Sequence, residues 1–170
     1  MSIIDTLITN RTQADVDALL ALYAKPKAMW TADEWNEFLL GSHRGAYNAS
    51  DMNRVLDALD YLADRVTEFG YRKATVKRPS ILDGDDVRTY YKIGDCPTVS
   101  EFAQYLENIA QIRSVLSLPA DVPAVPEDIG QRITIEEANN IELILTAVET
   151  LLNRISISWF YSGEVYSGEV

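Results

Sequence analysis

The sequence is poor in the residues that build disulfides and metal sites. It contains one cysteine, Cys96, and one histidine, His43, among 170 residues. A disulfide within the chain needs two cysteines, and structural zinc sites take four ligands drawn mostly from Cys and His. The composition therefore excludes a disulfide framework and a Cys/His zinc cluster. We expect no metal site and no cofactor.

Long apolar runs and basic residues are scarce as well. No stretch approaches the roughly 18 consecutive apolar residues that indicate a membrane span, and the first residues lack the basic and apolar regions of a signal peptide. The chain has 15 Lys and Arg against 26 Asp and Glu, a net charge of -11. Such a chain repels nucleic acids and anionic membranes. We expect neither as a partner, and we expect folding in a cytosol.

Motifs that indicate an enzyme are missing. The sequence contains no GxGxxG, P-loop, GxSxG or HExxH pattern. Residues 83–86, Asp-Gly-Asp-Asp, resemble the start of a calcium loop, but the acid, Gly and Glu that should follow are absent. Cys96 and His43 have no local signature of a nucleophile and its base. The sequence predicts a protein that is not an enzyme and has no catalytic residue.

A row of acids remains as a possible place for acid–base chemistry. Asp57, Asp60 and Asp64 fall at helical spacing along one predicted face. Arg54 and Arg65 are near them on the same predicted helix, a pattern typical of a solvated face with ion pairs. Because a general acid needs a pKa shifted by burial or neighbours, we predict no catalytic role for these carboxylates.

Helix starts recur along the chain in one pattern, a Thr followed three residues later by an acid. The Thr hydroxyl accepts from a free backbone amide, and the acid reaches back to the cap. A further start lies at Asn48 or Ser50. Apolar residues at spacings of three and four follow each start, as in amphipathic helices. The Thr caps are Thr12, Thr31, Thr98 and Thr134.

These signals together predict a mainly α fold. We expect a single-domain helical bundle of about five helices, the longest at about residues 50–69 and 134–157. Residues 71–97 carry turn signals, which indicate a short β-hairpin or an irregular segment. Residues 119–130 contain three prolines and are predicted to form an extended connector.

The segment 71–92 is basic in an acidic chain. It holds six Lys and Arg against three acids, so its net charge is +3 and that of the remaining chain is -14. One interpretation is a loop that pairs with acidic helices of its own molecule. The other is a docking surface for an acidic neighbour. Under the second interpretation the candidate partner contacts are Arg72, Lys73, Lys77 and Arg78.

The C-terminal residues are aromatic and repetitive. Residues 159–170 read WFYSGEVYSGEV, in which Tyr-Ser-Gly-Glu-Val occurs twice. Gly163 is expected to end the last helix or turn the chain. We therefore predict a helical domain over residues 1–158 and an extended aromatic tail over 159–170. Because interfaces favour aromatic anchors, we predict partner contacts at Trp159, Phe160, Tyr161 and Tyr166. The alternative is that the tail folds back over its own bundle and closes the core.

Three stretches of the chain are long and distinctive. They are LITNRTQADVDALLAL at 7–22, GAYNASDMNRVLDALDYLADRV at 45–66 and WFYSGEVYSGEV at 159–170. They resemble a family of small proteins encoded in the tail and baseplate regions of phages and prophages of gut Firmicutes. Known members of that family offer no catalytic residues that could be transferred to this chain.

The resemblance implies a structural or adaptor protein of the virion, in the tail, baseplate or fibre region. Its partners would be other virion tail or baseplate proteins, in a homo-oligomer or a hetero-complex. It would lie in the host cytoplasm during synthesis and then in the virion tail. The alternative is a host-surface module that binds glycan or protein, since Tyr and Trp clusters also stack on sugars.

Overall fold

The protein is described by a computed structural model that covers residues 2–127 and 133–166, with side chains to Ser158. A short antiparallel hairpin pairs β1 (Ile81–Asp83) with β2 (Asp86–Arg88), and Gly84 at its turn has φ +69°. The predicted mainly α fold and the hairpin within 71–97 are confirmed. The five α-helices of the described residues are α1 (Gln13–Ala24), α2 (Ala32–Leu40), α3 (Ala49–Glu68), α4 (Val99–Val115) and α5 (Ile135–Tyr166).

The predicted caps begin the helices. At α2, Glu34 N–H donates to Thr31 Oγ1 at 3.2 Å, and Thr31 N–H donates to the Glu34 carboxylate. The Thr residues before α4 and α5 repeat this arrangement with their own glutamates. Of the two candidates before α3, Asn48 is the cap, and its side chain accepts from Ser50 N–H. Local sequence therefore sets where each helix begins.

Helices α3 and α5 pack side by side and run in the same direction. Arg54 contacts Glu142, and three turns further along both helices Arg65 contacts Asn153. Parallel neighbours cannot be joined by a tight turn. The chain must return along the bundle before the next helix begins, which explains the long irregular connections after α3 and α4.

The segment after α3 makes the first return. Its contacts on α3 move backward along the helix as the segment advances, and its contacts on α4 do the same, from residues 111–115 to Asn108 and then residues 100–104. Helix α4 therefore begins at the same end of the bundle as α3 and runs parallel to it. The contacts on α3 are Lys73 with Asp64, Arg78 with Asp60 and Asp57, and Tyr91 with Asn53.

Three asparagines hold extended segments against the helices. Each amide oxygen accepts the backbone N–H of one residue, and each amide NH₂ donates to the C=O of that same residue, as a neighbouring strand would. The backbone N–H and C=O groups of these extended segments, which lie against the helices, therefore keep hydrogen-bond partners. The pairs are Asn53 with Tyr91, Asn108 with Lys77, and Asn139 with Arg11, at 2.8 to 3.1 Å.

The core lies between α3, α4 and α5. It follows the predicted spacing of three and four on each helix, and Ile4 from a 3₁₀ turn at Ile3–Thr6 joins it. Among the α5 side chains that the structure describes, which end at Ser158, the last buried one is Leu152, and Ile155 packs at the edge of the core. The largest fully buried apolar side chains are Leu56, Leu59, Leu62, Ile109, Ile112, Ile141, Ile144, Leu145 and Leu152.

The end of α5 corrects the prediction of an extended tail. The helix passes through Gly163 and continues to Tyr166, so that prediction is wrong for residues 159–166; residues 167–170 lie outside the described part. Extending an existing helix adds a hydrogen bond for each residue, whereas starting one is costly. A single Gly costs about 1 kcal/mol, which does not outweigh continuation. The predicted boundary between 158 and 159 thus falls inside a helix.

We expect Asn53→Ala to lower the free energy of unfolding by about 2 kcal/mol, because it leaves the N–H and C=O of the buried residue Tyr91 without their partners. Urea unfolding followed by circular dichroism measures this. Asn36→Ala, on the exposed surface of α2, is the control and should change stability by less than about 0.5 kcal/mol. Equal effects would show that the asparagine bridge does not hold the returning segment.

Candidate interaction surface

Four charged side chains meet at the end of the bundle where α3 and α5 begin. Arg11 Nη2 contacts Asp51 Oδ1 at 2.8 Å and Glu142 Oε1 at 2.7 Å. Arg54 Nη2 contacts the same two oxygens at 2.5 Å and 2.8 Å. The side chain of Glu142 is completely buried and those of Arg11 and Asp51 nearly so. We call these four residues the buried charged network; its two positive and two negative charges balance away from water.

The network also binds the chain before α1. Ile8 N–H donates to Glu142 Oε2 at 2.5 Å, and Arg11 Nη1 donates to the Ile8 carbonyl at 2.7 Å. The guanidinium of Arg11 lies 5.3 Å from the ring centroid of Tyr47, within the range of a cation–π contact. Side chains of the segment 8–11, of α3 and of α5 thereby fix this segment to the two helices.

A pair of tyrosines extends this cluster to α4. The hydroxyls of Tyr47 and Tyr105 share a hydrogen bond. Burial raises the pKa of both tyrosines well above the usual value, and the nearby negative charge of Glu142 adds to the effect. Both hydroxyls therefore stay neutral over the physiological range and keep their mutual hydrogen bond.

Sequence reasoning missed this network. The predicted exposed face with ion pairs at Asp57, Asp60 and Asp64 is present, but Arg54 and Arg65 are not its partners. Both arginines turn toward α5, where Arg54 binds Glu142 and Arg65 binds Glu149. The three aspartates instead pair with the basic segment across the returning chain. Ion pairs between residues that are far apart in the chain produce no short-range sequence pattern from which they could be predicted.

The basic segment 71–92 makes many of its contacts within the molecule. Arg78 lies 2.6 Å from both Asp57 and Asp60, Lys73 pairs with Asp64, and Lys77 Nζ donates to Gln104. In the hairpin turn, Asp83 accepts from Lys92. This arrangement favours the interpretation in which the segment neutralises its own acidic helices. A role for Arg72, Lys73, Lys77 and Arg78 in partner binding stays a prediction.

Helices α1 and α2 form a separate aromatic cluster beside the main core. We call residues 13–40 the aromatic lobe. The rings of Tyr23, Trp30, Trp35 and Phe38 make contacts with centroid separations of 4.9 to 6.4 Å. Trp30 is buried, and its indole N–H donates to the Lys25 carbonyl at 3.1 Å. The lobe therefore has a small core of its own.

The aromatic lobe exposes several large apolar side chains among polar ones. Its five large apolar side chains that are more than half exposed each offer on the order of 100 Å². Their summed exposed area is about 500 Å², comparable with the area of the largest apolar patch on a typical monomer. This surface is the candidate functional site. The five side chains are Leu20, Tyr23, Met29, Leu39 and Leu40.

Close packing attaches the lobe at the same end as the buried charged network. A Cβ atom on Gly45 would come within 2.2 Å of the Asp15 carbonyl oxygen, so only glycine lets the loop before α3 lie on α1. Ser50 Oγ donates to the Gly41 carbonyl at 2.6 Å and joins the end of α2 to the start of α3. The distinctive stretches at 7–22 and 45–66 thus contact each other at this junction.

No hydrogen bond or ion pair joins Cys96 and His43 in the part of the chain that the structure describes. Cys96 is exposed, and His43 Nδ1 lies 3.3 Å from Glu37 on the surface of α2. Among the described residues, no group of three or more His, Cys, Asp or Glu side chains is placed to hold a metal ion. No helix in that part of the chain is long and apolar enough to cross a membrane. Trp159, Phe160, Tyr161 and Tyr166 all fall in the final turns of α5.

Comparisons with protein-family models, with curated proteins and with solved structures found no match to this chain.

We expect Arg11→Met to lower the free energy of unfolding by about 3 kcal/mol, because Asp51 and Glu142 then share one arginine and a buried negative charge is left unbalanced. Urea unfolding at neutral pH measures this. The control is Lys25→Met, which removes a partly exposed pair with Glu34 and should cost less than about 1 kcal/mol. If the free energy of unfolding falls by the same small amount in both variants, the buried charged network does not hold residues 8–11.

Proposed function

We propose that this chain is a non-enzymatic structural or adaptor protein of a phage virion, located in the tail, baseplate or fibre region. It acts through protein–protein contacts. The observation that carries the proposal is the aromatic lobe, an element that contacts the bundle at Gly45 and Ser50 and exposes five large apolar side chains. A surface of this kind is stabilised when another protein covers it.

The way the lobe is attached supports a binding role. Its own aromatic core and the close packing at Gly45 restrain its shape and its orientation on the bundle. A pre-organised surface loses less conformational entropy on binding than a flexible one. The stretches 7–22 and 45–66, which carry the resemblance to phage tail and baseplate proteins, contain the residues that make this attachment.

A host-surface binding module is the second candidate. The exposed ring of Tyr23 favours it, because an aromatic ring at the surface offers an apolar face together with a polar hydroxyl. Trp30 is buried in the cluster and offers no such face. A glycan array separates the candidates: specific binding that Tyr23→Ala abolishes would favour the module over the structural protein.

Mass spectrometry of purified particles tests the proposed function. Particles would be purified by density gradient from the lysate of a host that carries the gene, then washed in high salt. We expect peptides of this chain in fixed proportion to the other tail proteins, while an abundant cytosolic host protein is depleted. Presence of the chain in the lysate together with absence from the washed particles would contradict a virion role.

A further inference from the structure

The molecule carries apolar features at two opposite ends. The aromatic lobe lies where α3 and α5 begin, as the contacts of Gly45 and Arg11 show. Helix α3 is 20 residues long, which is about 30 Å, and α5 runs parallel to it. The C-terminal part of α5 therefore lies far from the lobe of the same molecule.

Helix α5 extends beyond the helix beside it. Arg65 is level with Asn153, so the end of α3 at Glu68 is level with about residue 156 of α5. The helix continues to Tyr166. We call residues 157–166 the helical overhang; at 1.5 Å per residue it is about 15 Å long.

The composition of the overhang differs from that of an ordinary exposed helix. Its sequence, ISWFYSGEVY, contains four aromatic residues, one acid and no base. Ile157, at its start, is 58% exposed. A surface helix of a soluble protein usually carries one apolar stripe and charged or polar residues on its opposite face, so the aromatic composition of residues 157–166 favours a protein surface that covers this helix.

We propose that the helical overhang of one copy packs on the aromatic lobe of a second copy, so that the chains join head to tail. This rests on the proposed function and names one partner for the lobe. The lobe presents exposed side chains from two helices that meet at Tyr23 and Phe38. A third helix packs well on two such neighbours, because its side chains fill the grooves between theirs.

Geometry favours a second copy over the same one. The overhang and the lobe of one molecule are separated by the length of the bundle, so neither can cover the other. A contact between two different surfaces repeats from copy to copy and gives a ring or a filament. The lobe offers about 500 Å², less than the roughly 800 Å² per partner of a standard interface. We therefore expect association that depends on concentration.

Electrostatics contribute a small complementary contact. The ammonium of Lys27 lies 5.5 Å from the ring centroid of Phe38 and has no acidic partner among the described residues. The overhang carries Glu164 and no basic residue. A Lys–Glu contact at the edge of an apolar interface influences orientation and association rate more than affinity.

The test uses two complementary variants of the full chain. The lobe variant is Leu39→Glu/Leu40→Glu, and the overhang variant is Ile157→Glu/Tyr161→Glu. The control, Leu82→Glu/Val87→Glu, places the same number of charges on the exposed hairpin. Leu39 and Leu40 are more than half exposed, so the lobe variant should fold. Circular dichroism checks that all three variants are helical, and sedimentation velocity measures mass against concentration.

The expected result is that the unaltered chain and the control form oligomers as concentration rises, while each of the two other variants stays monomeric. Loss of the interface should weaken association roughly tenfold or more. Mixing the two variants is the decisive step. The intact overhang of one fits the intact lobe of the other, so the mixture should form a one-to-one dimer and nothing larger.

Three results would overturn the head-to-tail contact: an unaltered chain that is monomeric at every concentration, a mixture that stays monomeric, or an overhang variant that associates as well as the unaltered chain. The proposed virion role is tested separately by the composition of particles. A monomeric chain found in washed particles would remove only the head-to-tail contact. An oligomer absent from particles would remove only the virion role.

Discussion

The position of the N-terminal segment depends on one electrostatic constraint. Glu142 is completely buried, and a buried carboxylate needs both an opposite charge and hydrogen-bond donors. Arg11 supplies one charge, Arg54 the other, and Ile8 N–H a further donor. Such a network adds little net stability compared with apolar packing, but breaking it is costly. Residues 8–11 are therefore held in one place, and α1 starts from there.

The direction of the helices gives the molecule two different ends. Because α3, α4 and α5 run parallel, their beginnings gather at one end, where the aromatic lobe and the buried charged network lie. Their C-terminal ends gather at the other, where α5 extends past the end of α3. The returning segments that this arrangement requires are held by side-chain amides such as Asn53 and Asn108. The parallel direction of the three helices thus makes a head-to-tail contact geometrically possible.

Local features of the fold were predictable from sequence, and long-range pairs were not. The caps at Thr31 and Thr98 and the turn at Asp83-Gly84 depend on residues a few positions apart, so their patterns are readable. The network joins residues as far apart as Arg11 and Glu142. One signal was present: Glu142 follows buried Ile141 and precedes Leu145 on α5, and an acid on an inward face needs a buried partner. The helical overhang is not predicted from sequence because a Gly such as Gly163 commonly marks the end of a helix.

Native-state hydrogen exchange of the Ile8 and Arg11 amides tests the account most directly. Both amides donate to side chains of α5, namely those of Glu142 and Asn139. If the network fixes this segment, the two amides should exchange only when the core unfolds. The free energy of opening at both amides should then equal that of amides in the middle of α3. Exchange of Ile8 and Arg11 at a free energy far below that of α3 would show that the segment detaches independently. That result would contradict the claim that the buried charged network positions the lobe.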